Sequence, residues 1–309
     1  MIKPLSKWIL IRAFVLALVV WFLLAEINTG GGDNISGVIK SEKALAFSES
    51  RASSEACAIL PNNSAQLKFS YENRRGFRNT ASKRTALVSE HAVYTIVGEL
   101  KERVALPFDI QVVFKECGDP DSYYDEKTHE IVVCYELIDA YYEVFSETLK
   151  ERTARDEATK GAIVAMFLHE LAHALIDGWD LPITGREEDT ADQFSTLLLI
   201  NSIPDGDQMA LDSARSFKLL ADLEKDLEKD YSDPHSLDEQ RFFNTICLVY
   251  GHRPEQYEYL IRTGTLPVER AYDCEKDYAR LSKSWQRLLA PHLVANYGRR
   301  GFKIGRQGE

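Results

Sequence analysis

The residues best suited to chemistry lie in one short run, Met166-Phe167-Leu168-His169-Glu170-Leu171-Ala172-His173-Ala174-Leu175-Ile176-Asp177. Histidines four apart on a helix share a face, so both imidazoles can reach a single ion. Glu170 adjoins the first histidine and sits slightly off that face, where its carboxylate meets a metal-bound water rather than the metal. An ion held this way lowers the pKa of its water and polarises a carbonyl. The carboxylate can then take the water's proton and pass it to a leaving group. The five-residue pattern is short enough to arise by chance, and two helix histidines holding no metal are the alternative.

A hydrolytic zinc ion needs a third protein ligand and one open position. The segment Gly185-Arg186-Glu187-Glu188-Asp189-Thr190-Ala191-Asp192-Gln193 offers it. Glu188 follows His173 by 15 residues, beyond a turn marked by Gly178, Pro182 and Gly185, so a second helix can return across the first. Asp192 is four residues further on and shares the Glu188 face. There it can accept the remaining ring N–H of a ligand histidine, His169 by preference, fixing its tautomer. Glu187 competes with Glu188 for the metal. Glu188 is preferred because only it has a carboxylate at i+4, and because Glu187 is expected to complete a capping box with Thr184.

Helices must position these groups, and the periodicity supplies them. Apolar spacing predicts helices over 89–103, 137–152, 158–177, 187–200, 209–229, 238–249, 254–262 and 273–289. Strands are predicted at 108–114 and 130–135, separated by the turn-like Asp125-Glu126-Lys127-Thr128. Residues 65–79 read as a weak strand or loop. The charged stretch LEKDLEKD reads as a solvated helix face. Strands early and helices late predict a single α+β domain: a small, mostly antiparallel sheet against the HExxH helix, and a helical C-terminal half.

The 309 residues suffice for a sizeable core, and a composition 45% hydrophobic and 28% charged is ordinary for a folded chain. The net charge of −11 makes nucleic acid an unsuitable partner. Lys3, Lys7 and Arg12 precede the apolar run Ala13 to Ala25, the layout of a secretory signal. No small-x-small cleavage site follows, so a retained single-pass anchor stays open, as does a buried N-terminal helix. Five cysteines suit an exported chain. Cys117 and Cys134 bracket one short segment and Cys247 and Cys274 another; pairing them so leaves Cys57 over. Other pairings, or free thiols, remain open.

HExxH followed by ExxxD on a second helix resembles the gluzincin peptidases, the group that includes thermolysin. The fuller pattern resembles a bacterial metallopeptidase family long catalogued as a domain of unknown function. Its pieces here are Cys117-Gly118-x-x-Asp121-Ser122-Tyr123-Tyr124, Ile131-x-x-Cys134-Tyr135-Glu136-Leu137, the HELAH helix, Gly185 to Gln193, Gln240-Arg241-Phe242-x-Asn244 and Cys247-Leu248-x-Tyr250-Gly251. The likeness covers roughly residues 65 to 292. It implies export, a zincin-like fold and peptidase chemistry. It also implies a substrate edge, a strand that binds peptide backbone across from the metal helix, at Asp121, Ser122, Tyr123 and Tyr124. Asp121 stands where an Asn is expected, which removes an amide donor and adds negative charge; a hairpin held by Cys117 and Cys134 is the simpler reading. Related zincins place a histidine downstream of the glutamate-bearing helix, which makes His235 a candidate donor to the tetrahedral intermediate, with Asp233 orienting it. Arg241 is a second candidate donor, unless it pairs with a buried acid such as Glu188 or Asp189.

The expected arrangement is therefore an export signal or anchor over 1–25, a tether over 26–64, and a zincin-like domain over 65–309. The expected activity is zinc-dependent hydrolysis of a protein or peptide, in the periplasm or on the periplasmic side of the cytoplasmic membrane. Two other classes stay open: an exported protein with zinc as a structural strut, and a membrane-anchored module whose acidic cleft binds a partner. Glu170 argues against the first, because a structural site has no use for a carboxylate beside its first ligand.

Overall fold

The computed structural model describes residues 65–72 and 80–294; the expected export segment, the tether and Cys57 lie outside them. The elements are β1 (Leu67–Tyr71), α1 (Thr80–Leu100), β2 (Ile110–Lys115), β3 (Ser122–Asp125), β4 (Glu130–Cys134), α2 (Tyr135–Ser146), α3 (Arg152–Trp179), α4 (Glu187–Ser202), α5 (Gly206–Leu223), α6 (Asp238–His252), α7 (Pro254–Tyr257), α8 (Tyr259–Arg262) and α9 (Val268–Leu289). A 3-10 turn, Ala290–His292, follows α9.

The four strands form one sheet in the order β1-β2-β4-β3. β1 runs parallel to β2, and β2 parallel to β4; only β3 is antiparallel, to β4. The expectation of a mostly antiparallel sheet is therefore wrong. Two strands joined by a tight turn would have formed a hairpin, but that turn joins β4 to the short strand β3, not to β2. α1 supplies the crossover that parallel β1 and β2 require. The composition agrees: Ile110, Val112, Val113 and Phe114 in β2, and Ile131 to Cys134 in β4, are buried without alternation. Nearly continuous apolar runs, broken here only by Gln111, are the mark of strands covered on both faces.

α3 is the central helix. It packs against β3 and β4 on one side, and against α1, α2, α4 and α5 elsewhere. Ala158, Ala162, Ile163, Phe167, Leu168, Leu171, Ala172 and Leu175 are all buried along it. Among the described residues it is the one helix apolar and long enough to cross a membrane, but 78% of that window is buried inside this protein. It ends at Asp180, in the left-handed conformation with φ 48°. Gly178 lets the last turn approach the loop before β2, because a Cβ there would lie 2.3 Å from Pro107 Cγ.

α4 begins at Glu187 with Arg186 as N-cap and no side-chain cap bond. The expected Thr184–Glu187 capping box does not form. The helix predicted over 209–229 ends at Leu223, and most of LEKDLEKD lies past it, with Leu227 exposed. Disulfides join Cys117 to Cys134 and Cys247 to Cys274.

Candidate metal centre

His169 and His173 stand one turn apart on α3, with their Nε2 atoms 3.1 Å from each other. Glu188, in the first turn of α4, places Oε2 at 3.0 Å from His169 Nε2 and 3.4 Å from His173 Nε2. An ion bound tetrahedrally at about 2.0–2.1 Å separates its ligands by roughly 3.3 Å, close to all three edges. Two imidazole nitrogens and a carboxylate oxygen this close together form a donor set that could hold a divalent ion. His169 is buried, and His173 and Glu188 are partly buried.

Each ligand histidine is held by its other nitrogen. His169 Nδ1 lies 2.8 Å from Asp192 Oδ1, and His173 Nδ1 lies 2.7 Å from Glu187 Oε1. Both carboxylates accept the ring N–H and leave Nε2 free for a metal. Arg241 in turn donates to Asp192 from two nitrogens, Nε to Oδ2 and Nη2 to Oδ1, each at 2.8 Å. Its guanidinium lies 4.0 Å above the Phe217 ring and is nearly buried. Arg241 is thus committed behind the candidate ligands, to Asp192 rather than to Glu188 or Asp189.

The charges reinforce one another. Burial opposes protonation of His169, but its bonds to Asp192 and Glu188 outweigh that and push it up to about 9 without a metal. Burial would raise Glu188, yet bonds from His169, His173 and His235 hold it well below the usual carboxylate range. Glu170 is 5% exposed. Burial raises its carboxyl against the pull of both imidazoles, and Glu188 and Asp121 add to the rise. A carboxylate made more basic is suited to accept a water proton.

His235 reaches the centre through Glu188, with Nε2 at 2.9 Å from Oε2. Asp233 holds its other side, accepting from the His235 backbone N–H at 2.9 Å and lying 3.0 Å from Nδ1. Ser236 Oγ donates to Asp189 at 2.6 Å, tying this loop to α4.

At the expected substrate edge, β3 forms the sheet's border beside α3. Asp121 precedes it, close enough for its charge to bear on Glu170 and His235. Ser122 Oγ donates to Val132 O, and Tyr123 is exposed. Tyr124 turns the other way, donating to Asp177 Oδ2 at 2.9 Å and meeting His129 Nδ1 at 3.0 Å.

The profile of the family DUF4344, described as "Putative metallopeptidase", matches residues 73–289. The chain belongs to that family. The match takes in all the residues of this centre, from Asp121 to Arg241. No curated protein and no solved structure matches the chain. Metallopeptidase family and ligand triad together support catalytic zinc-peptidase activity.

Sequence reasoning missed Glu187 as the partner of His173 and Asp177 as the partner of Tyr124. The signal for Glu187 was present: a second ligand histidine also needs an acceptor on Nδ1, and the adjacent acid was at hand.

Proposed function

We propose that this chain is an exported zinc-dependent endopeptidase, with His169, His173 and Glu188 as zinc ligands and Glu170 as general base. The observation that carries the reading is the convergence of His169 Nε2, His173 Nε2 and Glu188 Oε2 within 3.0–3.4 Å, with buried Glu170 beside them. Zinc, when bound, supplies a water of lowered pKa and polarises the scissile carbonyl. Glu170 accepts the water's proton and delivers it to the departing amine. Asp192 and Glu187 keep the histidines in the tautomer that presents Nε2. His235, whose Nε2 now lies on Glu188 Oε2, would act as donor toward the developing oxyanion by exchanging that contact for substrate, with Asp233 holding Nδ1. Arg241 supports Asp192 rather than touching substrate. The edge of β3, with Asp121, Ser122 and Tyr123, takes the peptide as an added strand.

Residues 1–25 serve as signal or anchor, 26–64 as tether and 65–309 as the peptidase domain, in or facing the periplasm. Two disulfides favour such an oxidising compartment.

Metal analysis of the purified domain, with peptide-library cleavage by wild type and Glu170→Gln, tests the proposal. We expect about one zinc per chain in both proteins. Turnover should fall by about 10²–10⁴ in the variant. Undiminished turnover in Glu170→Gln removes the base, and a metal-free wild type removes the enzyme.

A further inference from the structure

Two sequence motifs, Cys117-Gly118-x-x-Asp121 and Cys134-Tyr135-Glu136, have no part in the chemistry above beyond Asp121 itself, yet the structure joins them. The Glu136 carboxylate accepts the Gly118 backbone N–H on Oε1 at 2.8 Å and the Cys117 N–H on Oε2 at 3.1 Å. Consecutive backbone N–H groups that converge on one carboxylate form an anion-binding nest, and such a turn needs a residue in the left-handed region. Gly118 provides it, with φ +89°. Glu136 occupies the first turn of α2, where the helix dipole also favours its negative charge.

Two further links close the same loop. Cys117 is bonded to Cys134, and the Cys134 N–H donates to Asp121 O at 3.0 Å. The supporting end is rigid: Tyr135 is buried and its hydroxyl donates to Glu90 Oε1 at 2.9 Å. The held end leads to the metal helix. Residues 116–121 connect β2 to the edge strand β3, which packs against α3, the helix that carries His169, Glu170 and His173.

We propose that Glu136 is a positioning residue for substrate: with the Cys117–Cys134 bond, it fixes the loop that sets Asp121 and the start of β3 beside the metal helix. Glu136 acts through the Cys117 and Gly118 amides that it holds. This inference rests on the peptidase reading, since it assigns Asp121 and β3 to the substrate side of the metal helix. A peptide lying along β3 meets an edge whose entry point is already fixed, so less ordering is needed on binding. Losing the clamp therefore weakens substrate binding more than the chemical step.

The test compares wild type, Glu136→Ala and Glu136→Gln on an extended fluorogenic peptide that wild type cleaves. Hydrogen exchange of the Cys117 and Gly118 amides and zinc content are measured on the same samples. For Glu136→Ala we expect KM raised about tenfold with a smaller loss in kcat, the pattern of lost substrate binding. Exchange at the two amides should quicken while zinc content holds. Glu136→Gln, which keeps one acceptor oxygen, should fall between the two. An unchanged KM with quickened exchange overturns the positioning role while leaving the peptidase reading intact. Equal falls in kcat and zinc content overturn it too, by showing a general loss of structure. A zinc-loaded wild type that cleaves no library peptide overturns the peptidase reading itself, and the positioning role with it.

Discussion

Arg241 on α6 holds both oxygens of Asp192 on α4, with each contact at 2.8 Å. Asp192 accepts from His169 on α3, so three helices meet behind a single candidate metal ligand. Arg241 is nearly buried, and the fork leaves Asp192 one fixed orientation toward the imidazole.

Arg241→Met should therefore cost both stability and metal affinity. It leaves the partly buried Asp192 without its guanidinium partner, a loss of up to about 3 kcal/mol. Zinc affinity should weaken about 10–100-fold, as when such supporting groups are removed. Urea unfolding and competition with a zinc chelator measure the two effects. If Arg241 instead served only as a donor to substrate, both would stay at wild-type values while kcat fell.

Glu187 and Glu188 are adjacent but have different roles. Glu188→Ala should lose stoichiometric zinc because it removes a ligand. Glu187→Ala should keep it, with affinity lowered about 10–100-fold through a loosened His173. The reverse outcome in metal titrations of the two variants would make Glu187 the ligand.

Asp212 on α5 is 6% exposed and packs against Gly161 of α3. Burial pushes its carboxyl up to about 6 from 3.8, against the pull of a bond from Gln208 and of the nearby Arg215 and Lys160, with Glu157 adding to the rise. Folding thus favours the protonated acid. Its cost is absent below the unfolded value of 3.8, grows as pH rises toward 6, and is then constant. Asp212→Asn should add up to about 3 kcal/mol of stability at neutral pH and nothing near about pH 3.5. Chemical denaturation at both pH values checks the sign; an equal gain at both would point to a cause other than charge.

Gly251 on α6 lies against α9 beside the Cys247–Cys274 disulfide. A Cβ there would stand 2.2 Å from the Cys274 carbonyl oxygen and 2.6 Å from its carbon, backbone atoms that cannot rotate away. Gly251→Ala should cost about 3 kcal/mol or more, as helices forced apart lose packing along their length. A urea midpoint equal to that of wild type would show that the two helices can separate freely.

The sequence determined the α+β class, the helical second half and the residues that could do chemistry. Periodicity located α3 because a helix buried on most faces must be apolar beyond one stripe. The i, i+4 rule put His169 and His173 on one side of it. Helix ends were less legible. α5 stops at Leu223 because the charged residues beyond it have nothing to bury, and Glu187 forgoes a cap for His173. Strand direction was not legible in local spacing. The hairpin turn is plain, but whether its partner is β2 or β3 depends on a four-residue strand too short to leave a periodic mark. Spacing could propose that Glu188 meets the histidines, but only the crossing of α4 over α3 decides which of two neighbouring carboxylates points inward. The same holds for Arg241, 49 residues from Asp192. Local sequence sets which groups share a helix face, whereas contacts between distant helices follow from how their buried faces pack, which no local pattern records.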